Sequence, residues 1–249
     1  MRMKKTSGHL LSRRAVILMG AAGTLALAGL GNRNRIAFAQ NSLVATPSLT
    51  EGPYFVDERL NRSDIRVDPT DNSTQEGFPL LLRIVVSKID NDTISPLTGA
   101  YVDVWHCNAL GVYSDVQAQG TVGKKFLRGY QVTNRHGEVR FRTIYPGWYS
   151  GRTVHIHVKV RLFVGSQETY EFTTQFFFND AITDEVFELA PYNQRGPRNT
   201  LNSADGIFLG ASTDGTVQSS SGSLLLLRLA IAGGNQHGVA SFRIARDDL

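Results

Sequence analysis

Two histidines separated by one residue are the strongest chemical signal in this sequence. They lie in Arg152-Thr-Val-His155-Ile-His157, at the start of a stretch in which apolar and polar residues alternate. Side chains alternate along a β-strand, so residues two apart project from the same face, about 6.6 Å apart along the backbone. Imidazole suits iron, zinc, copper and nickel. The spacing therefore allows His155 and His157 to converge on one metal ion.

The same alternation has a simpler interpretation, which is a strand with one solvated polar face. The apolar side would carry Val154, Ile156, Val158, Val160 and Leu162, and the polar side would carry His155, His157, Lys159 and Arg161. A strand that is hydrophobic on one face and polar on the other is typical of an ordinary antiparallel sheet. The histidine pair alone leaves both interpretations open.

Four more residues with suitable chemistry accompany the histidines. Tyr113 and Tyr149 each lie in a glycine-rich turn, and Tyr149 precedes His155 by six residues. Arg152 lies three residues before His155, and Gln175 lies on a strand predicted to pair with the histidine strand. A tyrosine in a loop is more often a packing or surface residue than a ligand. Only the combination of these residues indicates a site.

The elements that must position these residues are short strands separated by turn residues. The predicted strands are 80–89, 100–106, 129–133, 138–144, 154–164, 170–178, 224–231 and 239–244. Thr183–Leu189 is the only helix that the pattern predicts. Short strands at close spacing favour an all-β fold, a β-sandwich of Greek-key, prealbumin-like topology with long loops and little helix. We expect an N-terminal arm at residues 40–79, packed on a sandwich domain at residues 80–249.

Residues 1–39 have the pattern of an export signal. Ser12-Arg13-Arg14 precedes an apolar run that ends at Leu30, and Ala37-Phe38-Ala39 offers small residues for cleavage. The paired arginines resemble a twin-arginine signal, so we expect a periplasmic, cell-surface or extracellular protein with no stable membrane insertion after cleavage. The alternative is an uncleaved anchor, although the run is short beside the about 20 apolar residues of a spanning helix.

The net charge of residues 40–249 gives no reason to expect nucleic acid as a partner. Residues 1–39 hold seven of the 26 Lys and Arg residues and none of the 22 Asp and Glu residues, so residues 40–249 have 19 basic against 22 acidic residues, a net charge of −3. The basic character belongs to the predicted signal, and we expect no nucleic acid as a partner. The single cysteine, Cys107, excludes an internal disulfide.

A series of motifs extends over most of the chain, within residues 46–245. They are Thr50-Glu-Gly-Pro-Tyr-Phe, Asp103-Val-Trp-His-Cys-Asn, Gly111-Val-Tyr-Ser, Phe141-Arg-Thr-Ile-Tyr-Pro-Gly-Trp-Tyr, Arg152-Thr-Val-His-Ile-His and Thr174-Gln-Phe-Phe. In this order the motifs resemble the intradiol ring-cleavage dioxygenases, and especially exported relatives of the protocatechuate 3,4-dioxygenase β chain. Several motifs in register are far more specific than any one of them.

The resemblance implies one non-haem Fe(III) ion per chain, with the ligands Tyr113, Tyr149, His155 and His157. It implies that O2 cleaves a catechol-type aromatic ring between its two hydroxyl-bearing carbons to give a cis,cis-muconate-type diacid. Tyr149 would leave the metal and take a substrate proton, Arg152 would stabilise charge on the substrate, and Gln175 would orient substrate or oxygen. Tyr54 would lie at the pocket rim or pack on the surface.

Several functional questions remain open at the level of the sequence. A non-catalytic secreted binding module on the same sandwich and a zinc hydrolase are the alternative functions. The loop between Tyr149 and His155 is shorter than in the soluble enzymes of the family, which predicts a shallower pocket. A carboxylate-bearing catechol would need an accessible cation, for which the candidates are Lys124, Lys125 and Arg128. Neither the physiological catechol nor the formation of a homo-oligomer follows from the sequence.

Overall fold

Two β-sheets form a sandwich in the computed structural model, which describes residues 44–91, 93–210, 221–232 and 237–249. The strands in chain order are β1 (Pro79–Asp90), β2 (Thr93–Pro96), β3 (Tyr101–Trp105), β4 (Arg128–Val132), β5 (Glu138–Ile144), β6 (His155–Val164), β7 (Gln167–Phe177), β8 (Arg228–Ala232) and β9 (His237–Arg246). The α-helices are α1 (Asp180–Phe187) and α2 (Ser221–Leu224). The predicted all-β sandwich is therefore confirmed, and the predicted signal peptide, residues 1–39, lies outside the described residues.

Each sheet has its own topology. One sheet has the order β2-β1-β9-β8, with β5 also paired to β1, and β1 runs parallel to β9. The other sheet has the order β4-β3-β6-β7, and all its pairs are antiparallel. The predicted pairing of the histidine strand, β6, with the Gln175 strand, β7, is confirmed. Neither described helix is long and apolar enough to cross a membrane.

The predicted strand at 224–231 is wrong in its first half. Leu224 ends α2, and Leu225 and Leu227 form backbone hydrogen bonds with Phe177 at the end of β7. From Arg228 onward the chain pairs with β9 in the other sheet. This leucine run crosses from one sheet to the other, so it cannot be one strand. The helix α2 and the short strand β2 are absent from the sequence prediction.

Alternation along β6 divides the sandwich into an apolar interior and a polar outer face. Ile156, Val158 and Val160 point into the core, where they meet residues of β1 such as Leu82 and Ile84. All five side chains are almost completely buried. Complete burial of one such side chain contributes about 1.5–3 kcal/mol, so the apolar stripe fixes the register of β6 and hence the direction of its histidines.

The outer face of β6 is buried as well, because the N-terminal arm covers it. Lys159 and Arg161 are 4% and 7% exposed. Lys159 pairs with Glu51 of the arm and lies 4.0 Å from the centroid of the Phe55 ring. Arg161 pairs with Asp57 of the arm at 2.9 Å. The interpretation of β6 as a strand with a solvated polar face is therefore wrong.

The buried pair between Arg161 and Asp103 generates a stability prediction. Two hydrogen bonds of 2.9 Å join the guanidinium to the carboxylate. Burial raises the pKa of Asp103 from 3.8 to about 6, although Arg161 opposes the shift. The folded chain therefore holds this proton more tightly than the unfolded chain, and the contribution of Asp103 to stability falls as the pH rises from 4 to 6.

Arg161→Ala should reduce the free energy of unfolding by about 3 kcal/mol at pH 8, because it leaves a buried carboxylate without its cation. The loss should be smaller at pH 5, where Asp103 takes up a proton. Urea unfolding at both pH values measures it. Arg140→Ala is the control, since Arg140 is exposed in its pair with Glu138 and its loss should cost no more than about 0.5 kcal/mol. Equal losses for Arg161→Ala at the two pH values would contradict this account.

Candidate metal centre

One row of side chains crosses the outer face of the second sheet and carries the centre. His157 lies directly opposite Trp105 on β3 and Gln175 on β7. His155, two residues earlier on β6, lies opposite Phe177. Residues directly opposite each other in a sheet project from the same face. The strands therefore bring His155, His157 and Gln175 to one place, as the sequence predicts.

Three donor atoms lie close together at this place. His155 Nε2 is 3.1 Å from His157 Nε2 and 3.2 Å from the Tyr149 hydroxyl. Both histidines are 2% exposed. Two atoms that bind one metal at about 2 Å and at nearly right angles to each other lie about 3 Å apart. The separations therefore match those of neighbouring ligands of a single ion.

The hydrogen bonds of His155 determine its tautomer. Its Nδ1 lies 2.7 Å from the Thr153 carbonyl oxygen. A carbonyl oxygen only accepts, so Nδ1 carries the proton and Nε2 presents a lone pair to the centre. The ring of His157 stacks on Trp105, with centroids 4.8 Å apart and planes 9° apart. Both imidazoles are therefore held in fixed orientations on a rigid strand.

Tyr113 supplies the fourth candidate ligand. Its side chain is completely buried, and its hydroxyl has no hydrogen-bond partner among the described residues. The Tyr113 ring lies 5.8 Å from the Tyr149 ring and 6.3 Å from the His157 ring, centroid to centroid. A buried polar atom without a partner costs about 1–3 kcal/mol. A metal ion bound to the Tyr113 oxygen would remove that cost.

Electrostatics favour a strongly charged cation at the centre. Burial raises the pKa of Tyr149 to about 12 and raises the pKa of Tyr113 well above its usual value, while Arg152 acts against both shifts. Burial lowers the pKa of His155 to about 3 and that of His157 well below its usual range. Both imidazoles are therefore neutral at pH 7, the state that binds metals. The phenols need a cation to lose their protons.

The donor set is unusual because it depends on tyrosine. The described residues contain no group of three or more His, Cys, Asp or Glu side chains that could hold a metal ion. The side chains that lie beside the two imidazoles and could complete a set of four protein ligands are the phenols of Tyr113 and Tyr149. The residues fit a hard, highly charged ion that stabilises phenolates.

Arg152 and Gln175 lie in one hydrogen-bonded chain beside the donors. Arg152 donates from Nη2 to Gln175 Oε1 at 2.5 Å and from Nε to Asp205 Oδ2 at 2.8 Å. Gln175 donates to the Thr50 carbonyl of the N-terminal arm at 2.8 Å. The structure thus brings together all six residues that the sequence predicts. Asp205, which lies far along the chain in a short turn, is absent from that prediction.

The turns that carry the two tyrosines are packed backbone to backbone. Gly111 has a φ of +78°, and an added Cβ would overlap the Trp148 carbonyl oxygen. Arg195 donates to the carbonyls of Leu110 and Trp148, and its guanidinium lies 4.3 Å from the centroid of the Trp148 ring. Glycine and Arg195 therefore hold the two tyrosine turns at a fixed separation.

Tyr54 packs against the rings of both candidate tyrosine ligands. Its ring centroid is 4.7 Å from that of Tyr113 and 6.2 Å from that of Tyr149. Its carbonyl oxygen accepts a hydrogen bond of 2.5 Å from Arg128, which is itself buried. Of the two expectations for Tyr54, the rim of the site is the nearer description, because the residue is half-buried against both tyrosines.

The three cations considered for a substrate carboxylate are engaged elsewhere. Lys124 pairs with Asp71 and Lys125 pairs with Glu58, each at 2.6 Å. Arg128 donates to Ser114 Oγ at 2.8 Å, in addition to the Tyr54 carbonyl. Each of the three cations therefore already has a polar partner in the structure.

Comparisons with known proteins agree with this geometry. The sequence model of the Dioxygenase family matches residues 50–194, more than half of the chain and all six predicted site residues. Catechol 1,2-dioxygenase 1 of Acinetobacter lwoffii is 29% identical over 154 residues, which is 53% of this chain and 45% of that protein. The protocatechuate 3,4-dioxygenase beta chain of Burkholderia cepacia is 32% identical over 138 residues, 50% of this chain and 57% of that one.

A solved structure extends the likeness to 83% of the chain. An intradiol ring-cleavage dioxygenase from Tetranychus urticae aligns with a TM-score of 0.68 at 27% identity, covering 83% of this chain and 96% of that chain. By contrast, this chain spans about half the length of the curated relatives that it matches. The match to the family model and the shared fold lead to one conclusion. The chain belongs to the intradiol ring-cleavage dioxygenase family.

Proposed function

We propose that this protein is a non-haem Fe(III)-dependent intradiol dioxygenase. Its four ligands would be Tyr113, Tyr149, His155 and His157, with one ion per chain. It would use O2 to cleave a catechol-type ring between the two hydroxyl-bearing carbons, giving a cis,cis-muconate-type diacid. The observation that carries the proposal is the 3.1–3.2 Å clustering of Tyr149 Oη, His155 Nε2 and His157 Nε2 in a buried site.

The donor set favours ferric over ferrous iron. Two histidines and one carboxylate are the usual ligands of Fe(II) oxygenases, and the described residues hold no such cluster. Two phenolates contribute two negative charges, which suit a trivalent ion better than a divalent one. When bound, Fe(III) would withdraw electron density from a catecholate and so make its ring reactive toward O2.

The two tyrosines would have different roles because their surroundings differ. Tyr113 is completely buried and lies against Tyr54, whereas Tyr149 is half-buried on the loop before β6. The Tyr149 oxygen is therefore the phenolate placed to accept a proton from an incoming catechol hydroxyl. Tyr113, His155 and His157 would hold the ion throughout.

Arg152 would stabilise the negative charge of the bound catecholate. Its side chain is 15% exposed, and Asp205 and Gln175 hold it from two sides. A hydrogen-bond donor fixed in a water-poor site stabilises developing charge more strongly than the same donor in water. Gln175 would keep the guanidinium in place and so act on the substrate through Arg152.

The surroundings support a catechol without a carboxylate group. Lys124, Lys125 and Arg128 are engaged in pairs and loop contacts. Neutral catechols are therefore the substrates that we expect to react fastest. The physiological substrate would be found by comparing substituted catechols.

Tyr149→Phe should retain iron better than His155→Ala, because the tyrosine is on a loop and the histidine is on a strand. We expect His155→Ala to lose most of its iron to a chelator under conditions in which Tyr149→Phe keeps a substantial share. Metal analysis after dialysis measures this. Tyr145→Phe is the control, since Tyr145 is a buried tyrosine bonded to Thr183, outside the centre. Greater iron loss from Tyr149→Phe than from His155→Ala would contradict the assignment.

The activity itself is tested with the purified, iron-loaded protein in an oxygen electrode. Catechol should cause O2 uptake with one O2 consumed per diacid formed, and the protein should be burgundy through tyrosinate-to-iron charge transfer. A colourless iron-loaded protein with no O2 uptake would refute the proposal. A protein that binds zinc and needs no O2 would instead select the hydrolase alternative.

A further inference from the structure

Asp205 is a buried carboxylate that the predicted reaction does not use. Its side chain is 0% exposed, and it lies beyond residue 194, where the match to the family model ends. Its Oδ1 accepts hydrogen bonds from the backbone of Ile207 at 2.8 Å and Phe208 at 3.0 Å. Its Oδ2 accepts from Arg152 Nε at 2.8 Å and from the backbone of Thr153 at 2.7 Å. One carboxylate therefore joins a distant turn to the start of β6.

These contacts determine which nitrogen of the Arg152 guanidinium remains available to bind a substrate. Nε is bonded to Asp205, and Nη2 is bonded to Gln175. Nη1 has no partner among the described residues. Because the guanidinium is planar, two bonds at Nε and Nη2 fix the direction of its Nη1 hydrogens. Gln175 is in turn bonded to the arm at Thr50, so the whole chain of bonds is anchored at both ends.

We propose that Asp205 is a positioning residue for the dioxygenase reaction, which fixes Arg152 so that its free Nη1 donor meets the negatively charged catecholate. This inference rests on the proposed function of the site. An arginine side chain loses rotamer entropy when it is ordered, and a donor that must first be ordered stabilises a transition state less well than one already in place. Asp205 would supply that order without touching the substrate.

A competing electrostatic effect makes the proposal falsifiable. Asp205 also reduces the positive potential near the substrate, so its neutralisation alone would strengthen the attraction of a catecholate. If the orientation of Arg152 by Asp205 is the larger effect, Asp205→Asn lowers kcat. If the reduction of the positive electrostatic potential by Asp205 is the larger effect, the same variant keeps or raises kcat. The two effects therefore predict changes of opposite sign.

A double-mutant cycle with Arg152→Met tests the inference in the iron-loaded enzyme. Asp205→Asn should lower kcat by about tenfold or more in the Arg152 enzyme and by less than about twofold in the Arg152→Met background, because neighbouring residues that act together are not additive. The anaerobic Kd for catechol is read from the change in the visible spectrum. In Asp205→Asn, this Kd should rise by a smaller factor than the factor by which kcat falls. Thermal unfolding of each variant identifies losses due to the fold.

The matched control is Asn202→Ala, on the same segment. Asn202 accepts a hydrogen bond from Thr153 Oγ1 at 2.7 Å and donates to the Phe178 carbonyl at 2.8 Å, but it has no hydrogen bond to Arg152. The Asn202→Ala substitution should lower the melting temperature and leave kcat within about twofold of the original value. If Asp205→Asn is too unstable to purify, Asp205→Glu replaces it, since it retains the charge but displaces the carboxylate by one methylene.

Three outcomes would overturn the inference. They are equal loss of kcat in both backgrounds, no loss in either background, and a gain in kcat for Asp205→Asn. Failure of the proposed function is distinguishable, because the unsubstituted enzyme would then show neither the burgundy colour nor O2 uptake.

Discussion

Burial of the polar face of β6 is the constraint on which the rest of the site depends. Four polar side chains in alternation, from His155 to Arg161, are removed from water by the N-terminal arm and the tyrosine turns. Burial of charges is costly unless they are paired. At one end of the strand, Lys159 and Arg161 are compensated by acidic partners from the arm and from neighbouring strands. At the other end, the two imidazoles are neutral, and a metal ion would accept the lone pairs of their buried, closely spaced Nε2 atoms.

The site combines a rigid half with a more adaptable half. His155 and His157 are on a strand whose register is fixed by core packing, and each ring is oriented by a second contact, the Thr153 carbonyl or the Trp105 ring. Tyr149 is instead half-buried on the loop before β6, and the next two residues, Ser150 and Gly151, are exposed. This difference in support is the physical reason for proposing that Tyr149 would be replaceable while the other three ligands would hold the ion.

Local patterns predicted most of the strands, and the family resemblance supplied the four candidate ligands. Alternation in β6 predicted the direction of both histidines, and the predicted boundaries of β5 match the structure. What the sequence could not predict depends on contacts between distant segments. Lys159 is covered by Glu51 and Phe55, and Arg152 is paired with Asp205; in both cases the partners are distant in the sequence. The leucine run after residue 224 shows the same limit, since an apolar stretch does not reveal that it crosses between sheets.

The central claim is that two tyrosines and two histidines bind one ferric ion. Anomalous diffraction at the iron edge, from crystals of the iron-loaded protein, tests it most directly. The account predicts a single iron peak at about 2 Å from Tyr113 Oη, Tyr149 Oη, His155 Nε2 and His157 Nε2, as for metal–ligand bonds in general. An iron peak away from these atoms, or one from which the Tyr113 oxygen is absent as a ligand, would contradict it.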